Sequence, residues 1–275
     1  MAREDCPHCR GTGWKLVART AGTPGNIAVA CECGTQERAE IIMERARIPK
    51  RYEHCDFESF VTELADGKTY SAEQAESLKR LKFTVQKFVT EYPGSDQTGL
   101  LLMGNSGIGK THLAVAALKT LIRRGHTGYF CEYGKLLREI QHSYRPDTET
   151  SEIAILKPVL ESEVLVIDDL GCIKPSDWVR DTIAYILNQR YAEASRDLTQ
   201  PRCTIITTNF LDNPTSIGEP AKLPGGRLVR ENREDALWER IGERMRSRLF
   251  EICRTVEVHA PDFRQHVRQP GRARA

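Results

Sequence analysis

The chain has 275 residues, of which 40% are hydrophobic, and its formal net charge is +2. A domain typically takes about 100 to 200 residues, so this length can bury one α/β core and leave room for a small appendage. The near-neutral charge excludes a protein that binds nucleic acid through a strongly positive overall charge. The sequence has no run of about 18 apolar residues that could cross a membrane, so we expect no membrane partner. The start of the sequence, MAREDCPHC, lacks the apolar segment of a signal peptide, which predicts a cytoplasmic location.

Four of the nine cysteines lie near the start of the chain: Cys6, Cys9, Cys31 and Cys33. In a long chain without a signal peptide, cysteines indicate metal ligands and buried thiols rather than disulfides. Residues 14–30 can form a short hairpin that brings the four thiolates to one tetrahedral Zn²⁺. His8 is an alternative ligand, and a redox dithiol in the first pair is an alternative interpretation. A zinc ion with four protein ligands would be structural, and we expect this module to bind a partner.

A helix rich in Glu and Arg is predicted over 36–46, ended by Pro49, as a connector from the cysteine module. The following stretch, 48–60, precedes a helix predicted over 71–92 and carries three aromatic residues: Tyr52, Phe57 and Phe60. These side chains could wall a pocket for adenine, or they could pack against the helix. The sequence leaves both interpretations open.

The stretch 99–114, GLLLMGNSGIGKTHLA, joins an apolar strand, a glycine-rich turn and the opening of a helix. The turn fits the phosphate-binding motif G-x-x-x-x-G-K-[ST] at every fixed position. It consists of Gly104, Asn105, Ser106, Gly107, Ile108, Gly109, Lys110 and Thr111. Its backbone N–H groups and the N-terminus of the helix are suited to hold phosphate. We therefore predict binding of a nucleoside triphosphate, with Lys110 facing solvent until it reaches the β- and γ-phosphates and the Thr111 hydroxyl binding Mg²⁺.

A second motif lies at 163–171, EVLVIDDLG, where an apolar run ends in two carboxylates. Buried parallel strands have this pattern, and carboxylates at their carboxyl ends point into the crevice where ligands bind. We expect Asp168 to hold Mg²⁺ and Asp169 to orient or activate the attacking water. The alternative is a solvated turn.

The strand predicted over 202–210, RCTIITTNF, ends in polar residues. Asn209 at its end can bond the γ-phosphate or the attacking water, or it can cap a helix. The other predicted elements are a helix over 110–124, a strand over 128–133, a helix over 134–144, a loop that becomes helical over 145–159, and a helix over 177–193.

The last third of the chain contains a predicted exposed loop over 211–235 and an amphipathic helix over 237–253. Arg244 and Arg248 share a face of that helix. They could pair with neighbouring acids, which are Glu239, Glu243 and Glu251. The composition of residues 264–275, with arginines among Pro and Gly, predicts a disordered basic tail.

The order of phosphate loop, Asp-Asp strand, Thr-Thr-Asn strand and arginine-bearing helix resembles AAA+ ATPases. In detail it resembles the DnaC/DnaI-type helicase loaders and the related IstB transposition ATPases, over about residues 1 to 265. The resemblance implies an α/β P-loop NTPase with a central parallel sheet, preceded by a small four-cysteine zinc module and followed by little or no C-terminal lid. It divides the chain into a zinc module with connector helix (1–47), an AAA+ domain (48–263) and a basic tail (264–275).

The resemblance also implies roles for individual residues. Lys110 and Thr111 match the Walker A motif, and Asp168 and Asp169 match Walker B, where the family's usual glutamate is replaced by Asp169. The shorter side chain implies slow, switch-like ATP hydrolysis. Asn209 matches the sensor 1 position, and Arg264 is a candidate for sensor 2. Arg248 matches the arginine finger that reaches a neighbouring subunit's nucleotide, which implies self-association through the ATP site.

Three functions are compatible with this resemblance. The first is an ATP-dependent loader that engages a replicative helicase through the zinc module and single-stranded DNA through the AAA+ core. The second is an IstB-like accessory ATPase that acts on duplex DNA with a transposase. The third is a zinc-containing adaptor whose nucleotide site is only structural. The four-cysteine module favours the first, and an insertion at 213–233 is a further candidate for partner contact.

Overall fold

The computed structural model of the chain describes residues 5–18, 26–63, 70–94, 97–196, 202–213 and 235–264. An antiparallel hairpin is followed by a parallel sheet of five strands with helices on both faces. The strands are β1 (Trp14–Ala18), β2 (Asn26–Ala30), β3 (Gly99–Gly104), β4 (Gly128–Glu132), β5 (Val164–Asp168), β6 (Cys203–Thr208) and β7 (Cys253–Val258). The helices are α1 (Glu32–Arg45), α2 (Ala72–Glu91), α3 (Lys110–Arg123), α4 (Tyr133–Ser143), α5 (Glu152–Glu161), α6 (Asp177–Arg196), α7 (Leu237–Ile241) and α8 (Glu243–Ile252), with a 3₁₀ turn at Lys50–Tyr52.

The five-stranded sheet has the order β4-β5-β6-β3-β7, and all neighbouring strands are parallel. Strand β6 therefore separates β3, which leads into the glycine-rich turn, from β5, which ends in Asp168. Strands β3, β5 and β6 are buried along their whole length, which explains the apolar sequences of β3 and β5. Because the strands are parallel, their carboxyl ends meet at one edge of the sheet, where ligands bind in folds of this kind.

Helices cover both faces of the sheet and create two hydrophobic cores. Helices α1, α2 and α3 pack on one face, where Leu81, Phe88 and Leu113 are completely buried. Helices α4 to α8 pack on the other face, with Ile183 and Leu237 at the centre. This three-layer arrangement confirms the predicted α/β class. None of the described helices has both the length and the apolar composition needed to cross a membrane.

The predicted single helix over 237–253 is wrong in two respects. Gly242 has φ of 87°, a left-handed conformation that ends α7 and lets α8 start in a new direction. Cys253 then begins β7, a strand that the sequence did not predict. Because β7 pairs with β3 along its whole length, Val256 and Val258 are buried in the core on one face of the sheet and Cys253 in the core on the other.

The remaining elements lie within a few residues of their predicted positions. Helix α1 begins at Glu32 rather than at 36, because Cys31 precedes it in the extended conformation of an N-cap. The predicted hairpin over 14–30 is present as β1 and β2. Residues 214–234 of the predicted loop over 211–235, and with them all but the first residue of the insertion at 213–233, lie outside the described residues, as do residues 265–275 of the predicted tail over 264–275.

Candidate functional site

The glycine-rich turn between β3 and α3 has a conformation that requires glycine. Gly107 has φ of 77° and Gly109 has φ of 94°, both in the left-handed region. A Cβ atom at Gly109 would also lie 2.5 Å from Cε2 of Phe60. A loop of this kind, leading directly into a helix N-terminus, is the arrangement that holds phosphate through backbone N–H groups. The residues present therefore fit the phosphates of ATP.

Lys110 is buried beneath this loop, so the expectation that it faces solvent is wrong. Its side chain is 6% exposed. The ammonium group donates hydrogen bonds to the carbonyl oxygens of Gly104 and Asn105, both at 2.7 Å, and to Oδ1 of Asn209 at 2.8 Å. Burial lowers the pKa of Lys110 to about 8, although two nearby aspartates oppose this change.

Asp168 lies at the end of β5 and contacts two hydroxyl groups. Its Oδ1 accepts hydrogen bonds from Oγ1 of Thr111 and from Oγ1 of Thr207, both at 2.7 Å. Burial raises the pKa of Asp168, and the two hydroxyl bonds partly oppose the rise. A hydroxyl and a carboxylate in contact are oxygen ligands of the kind that Mg²⁺ takes together with substrate phosphates. The donor set of Thr111 and Asp168 thus fits Mg²⁺.

Asn209 connects the lysine to the second aspartate. Its side-chain amide donates to Oδ1 of Asp169 at 2.9 Å while its own oxygen accepts from Lys110. Asp169 has φ of 60°, a conformation in which Asp and Asn are better tolerated than most residues. The backbone N–H of Asp169 donates to Oγ1 of Thr207 at 2.9 Å. Thr207 therefore contacts both aspartates, a position that depends on β6 lying beside β5 and that sequence analysis missed.

A cleft of about 80 Å³ adjoins the glycine-rich turn on the side of α2. Among its lining residues are Phe60, Tyr70, His112 and Phe263. The three aromatic residues of the 48–60 stretch therefore lie in three different places. Phe60 contacts the phosphate loop, whereas Phe57 is buried in the core and the ring of Tyr52 lies 6.0 Å from that of Phe130.

The arginines of α8 lie apart from this group of residues. Arg248 is partly exposed, with its guanidinium carbon 5.8 Å from the ring centre of Tyr191. Within the described part of the chain, neither Arg248 nor Arg244 forms an ion pair, so the predicted alternative of pairing with neighbouring glutamates is not observed there. Arg246 on the same helix pairs with Asp212 through two hydrogen bonds.

The C-terminal end of the described chain crosses the phosphate loop. The backbone N–H of Phe263 donates to the carbonyl of Gly107 at 3.1 Å. Arg264 donates to the hydroxyl of Ser106 at 3.4 Å. This arrangement brings Arg264 beside the phosphate loop.

The four N-terminal cysteines form a second cluster, buried and well separated from the glycine-rich turn in sequence. The Sγ atoms of Cys6 and Cys31 are 3.7 Å apart, those of Cys9 and Cys33 are 3.3 Å apart, and all four lie within 4.8 Å of one another. Four thiolates at Zn–S distances of about 2.3 Å would be spaced about 3.8 Å apart around a tetrahedral ion. The cluster therefore fits one zinc ion, and His8 is exposed and is not part of it.

One thiol of this cluster, that of Cys6, has a lowered pKa. Backbone N–H groups of Cys9 and His8 lower the pKa of Cys6 to about 6, so this thiol is largely a thiolate at neutral pH. Thiolates rather than thiols are the zinc ligands.

Comparison with known proteins agrees with this geometry. Residues 36–210, more than half of the chain, match the family model described as IstB-like ATP binding protein. The sequence is 26% identical over 200 residues to protein YqaM of Bacillus subtilis, covering 68% of this chain and 58% of YqaM. It is 25% identical over 195 residues to the replicative helicase loader DnaC of Escherichia coli, covering 70% of this chain and 69% of DnaC.

A solved structure described as that of the DnaC helicase loader superimposes with a TM-score of 0.55 and 29% identity, covering 77% of this chain and all of that one. The structure of DnaI has a TM-score of 0.53 at 22% identity and shows likeness of fold.

The fold and the site together define a P-loop nucleotide-binding protein of the AAA+ class. Within that class, the chain belongs to the family of IstB-like ATP-binding proteins, which includes relatives of the DnaC type.

Proposed function

We propose that this protein is an ATP-dependent loader of a replicative helicase and that it hydrolyses ATP slowly, as a switch. The observation that carries the proposal is the likeness to DnaC across the whole solved DnaC chain, combined with a complete set of phosphate-loop, Asp168 and Asn209 contacts. A purely structural nucleotide site would not need the polar contacts around Asp169. The proposed domains are the zinc module with connector helix (1–47), the AAA+ core (48–263) and the tail (264–275), in a cytoplasmic protein.

In the proposed mechanism, ATP with Mg²⁺ supplies the reactive phosphoanhydride bond and the charge that neutralises its oxygens. Thr111 and Asp168 would hold the metal, and Lys110 would exchange its present acceptors for phosphate oxygens. Asn209 is then released from Lys110 and can orient the attacking water together with Asp169. The ring of Phe60 excludes water from one side of the loop.

Asn209 also gives a physical reason for slow hydrolysis. Its amide holds Oδ1 of Asp169 at 2.9 Å, and the aspartate side chain is one methylene shorter than the usual glutamate. Asp169 must leave this hydrogen bond or act through its second oxygen to accept a proton from water. Both requirements lower the fraction of time in which the base is correctly placed.

We propose that subunits associate through the ATP site, with Arg248 of one chain beside the nucleotide of the next. The exposure of Arg248 and its lack of an ion pair within the described residues support this role, because a buried or paired guanidinium could not reach another subunit. Single-stranded DNA is proposed to bind the AAA+ core. The four-cysteine module is proposed to engage the helicase, since it lies outside the nucleotide site.

Capture of partners by the full chain tests the loader function. Wild-type protein with ATP should capture a hexameric replicative helicase from a lysate of its host. The variant Cys31→Ser/Cys33→Ser should lose the helicase and still bind ATP, because its AAA+ core is intact. The matched control Cys172→Ser alters an exposed cysteine outside the module and should behave as wild type. Capture of a transposase instead of a helicase would overturn the loader proposal.

The second candidate is the IstB-like accessory ATPase acting on duplex DNA with a transposase. Two observations favour it: the family model itself, and 31% identity over 100 residues to a putative ATP-binding protein of insertion sequence IS5376 from Geobacillus stearothermophilus, which covers 36% of this chain. Tight ATP-dependent binding of duplex over single-stranded DNA would support this candidate.

We expect the affinity for ATP to be constant below about pH 8 and to fall by up to tenfold per pH unit above it. In the chain without nucleotide, burial lowers the pKa of Lys110 to about 8, whereas a bound triphosphate favours the charged ammonium. Above pH 8 the lysine must therefore take up a proton when ATP binds. Titrations with a fluorescent ATP analogue, and calorimetry in two buffers of different ionisation enthalpy, measure both effects. Lys110→Ala should bind weakly without this pH dependence, and a level wild-type affinity up to about pH 9.5 would contradict the prediction.

We expect purified protein to carry about one tightly bound Zn²⁺ per chain on the four N-terminal thiolates. Cys31→Ser/Cys33→Ser should lose this ion, and Cys172→Ser should keep it. Because the AAA+ core has its own buried sheet, loss of the metal should unfold the module alone, leaving ATP binding intact. Metal analysis combined with ATP titration checks both points. A double variant that retained the tightly bound ion would place the zinc elsewhere.

A further inference from the structure

A further group of potential metal ligands adjoins the cleft beside the phosphate loop, apart from the proposed Mg²⁺ ligands and the four cysteines. Donor atoms of His54, Cys55 and His112 lie within 4.8 Å of one another. Nε2 of His54 is 3.9 Å from Sγ of Cys55. His112 comes from the first turn of α3, whereas the other two residues belong to the turn that follows Tyr52, so the cluster exists only in the folded chain.

Two of the three ligands are held firmly in place. Cys55 is 2% exposed, and its backbone N–H donates to the carbonyl of Tyr52 at 3.0 Å. Nε2 of His112 lies 2.8 Å from the carbonyl oxygen of Asp56. A backbone carbonyl bonded to one ring nitrogen orients the histidines of many metal sites in the same way.

The third ligand can complete the site from solvent. Two nitrogens and one sulfur around a tetrahedral zinc ion are about 3.3 to 3.6 Å apart, so the present spacing, within 4.8 Å, needs a contraction of up to about 1.5 Å. His54 is exposed and can make this movement without disturbing the core. Its exposure also provides an entry path for the ion and leaves room for a water molecule as fourth ligand.

The charges around the cluster are compatible with a cation. The ammonium of Lys119 lies beside the cluster and donates to the carbonyl of Cys55 at 3.0 Å. This ammonium is paired with Oδ1 of Asp56 at 3.0 Å, and Arg123 lies 3.5 Å from the same oxygen. The carboxylate thus offsets part of the positive charge beside the thiol.

We propose that His54, Cys55 and His112 form a second, exchangeable Zn²⁺ site. Two imidazole nitrogens and one thiolate are a donor set suited to zinc, and three protein ligands with one open position leave the ion able to exchange. The ion would fasten the turn at 54–55 to α3 one residue after Thr111. The ring of His112 also lies 5.5 Å from that of Phe60, the residue that contacts Gly109. Zinc at this site would therefore brace the phosphate loop against the segment that precedes the core.

Zinc stoichiometry of the full chain in zinc-buffered solution tests this proposal. Wild type should bind two ions, one tight and one exchangeable. Cys31→Ser/Cys33→Ser should keep only the exchangeable ion, and His54→Gln should keep only the tight one. His142→Gln changes another exposed histidine, on α4, and should match wild type. Zinc should raise the unfolding temperature of the AAA+ core in wild type and not in His54→Gln, because a ligand stabilises only the state that binds it.

Two further measurements distinguish a zinc-binding role of His54 from a surface role. His54→Cys replaces one zinc ligand by another and should retain the second ion, which a merely surface role of His54 would not explain. In Cys31→Ser/Cys33→Ser, Co²⁺ should give a thiolate-to-metal absorption band that His54→Gln on the same background weakens. If wild type binds a single ion, or if His54→Gln retains the second, or if the cobalt band is absent, the site does not exist.

Discussion

Arg248→Ala should bind ATP with nearly wild-type affinity and lose about a thousandfold in the rate of hydrolysis. A guanidinium supplied by a neighbouring subunit stabilises the charge that develops on the γ-phosphate, so its removal affects the transition state and not ground-state binding. Arg248 is suited to this role because it is partly exposed and, in the described part of the chain, contacts Tyr191 rather than a carboxylate. Nucleotide titration and single-turnover hydrolysis at concentrations where wild-type chains assemble measure the two quantities.

Arg244→Ala is the matched control for Arg248→Ala. Arg244 is exposed on the same helix one turn earlier, so its replacement changes the charge of α8 equally. We expect a change of less than about threefold in hydrolysis, as is usual for an exposed charge without a partner. An equal loss in both variants would indicate a general charge effect rather than an arginine finger.

Mixing two inactive variants provides the decisive test of Arg248. Lys110→Ala keeps its arginine and loses tight ATP binding, whereas Arg248→Ala keeps its nucleotide site. At some interfaces of a mixed assembly, an intact site meets an intact arginine, and part of the activity should return. The mixture could instead be as inactive as its components under conditions where wild type assembles. That result would contradict the arginine-finger assignment and leave Arg248 as a surface residue.

Asp169→Asn should lower the rate of hydrolysis by about 10² to 10⁴ while ATP still binds. The substitution removes the proton acceptor and keeps the size of the side chain. It also suits the left-handed backbone at this position, where Asn is as well tolerated as Asp. The hydrogen bond from Asn209 can turn to the new amide oxygen, so the fold should be unaffected.

Comparing Asp168→Asn with Asp169→Asn distinguishes the roles of the two adjacent acids. Asp168 is bonded to the hydroxyl of Thr111, and its replacement should weaken the dependence of ATP binding on Mg²⁺, whereas Asp169→Asn should leave that dependence unchanged. Magnesium titrations of ATP binding in the two variants distinguish these outcomes. If Asp169→Asn hydrolysed ATP at the wild-type rate, another group would have to activate the water.

Features written into contiguous residues could be predicted from the sequence alone. The phosphate loop is one such feature, because its glycines, Lys110 and Thr111 act through neighbouring backbone. The apolar run that ends in Asp168 and the paired cysteines are others. In each case a short spacing determines the local geometry, and the rule that parallel strands end at one edge brings Asp168 and Asn209 to the phosphate loop.

Contacts between distant parts of the chain were decided by the tertiary structure. Lys110 is held away from solvent by hydrogen bonds to two carbonyls of its own loop and to Asn209, 99 residues later in the chain, and no local pattern predicts this burial. Thr207 contacts both aspartates only because β6 lies between β3 and β5. The strand order depends on how all five strands pack, which is a property of the whole sheet.

The break at Gly242 and the strand that follows α8 likewise could not be predicted from the sequence. The sequence from 237 to 253 is amphipathic throughout, so its hydrophobic period predicts one helix. Gly242 adopts a left-handed conformation, and residues from Cys253 onward become a strand because the free edge of β3 supplies hydrogen-bonding partners along their whole length. The sequence by itself thus predicted the positions of the phosphate loop, the two acids and the cysteine cluster. Only the folded sheet decided which residues complete each site, since those contacts join groups that the chain order keeps apart.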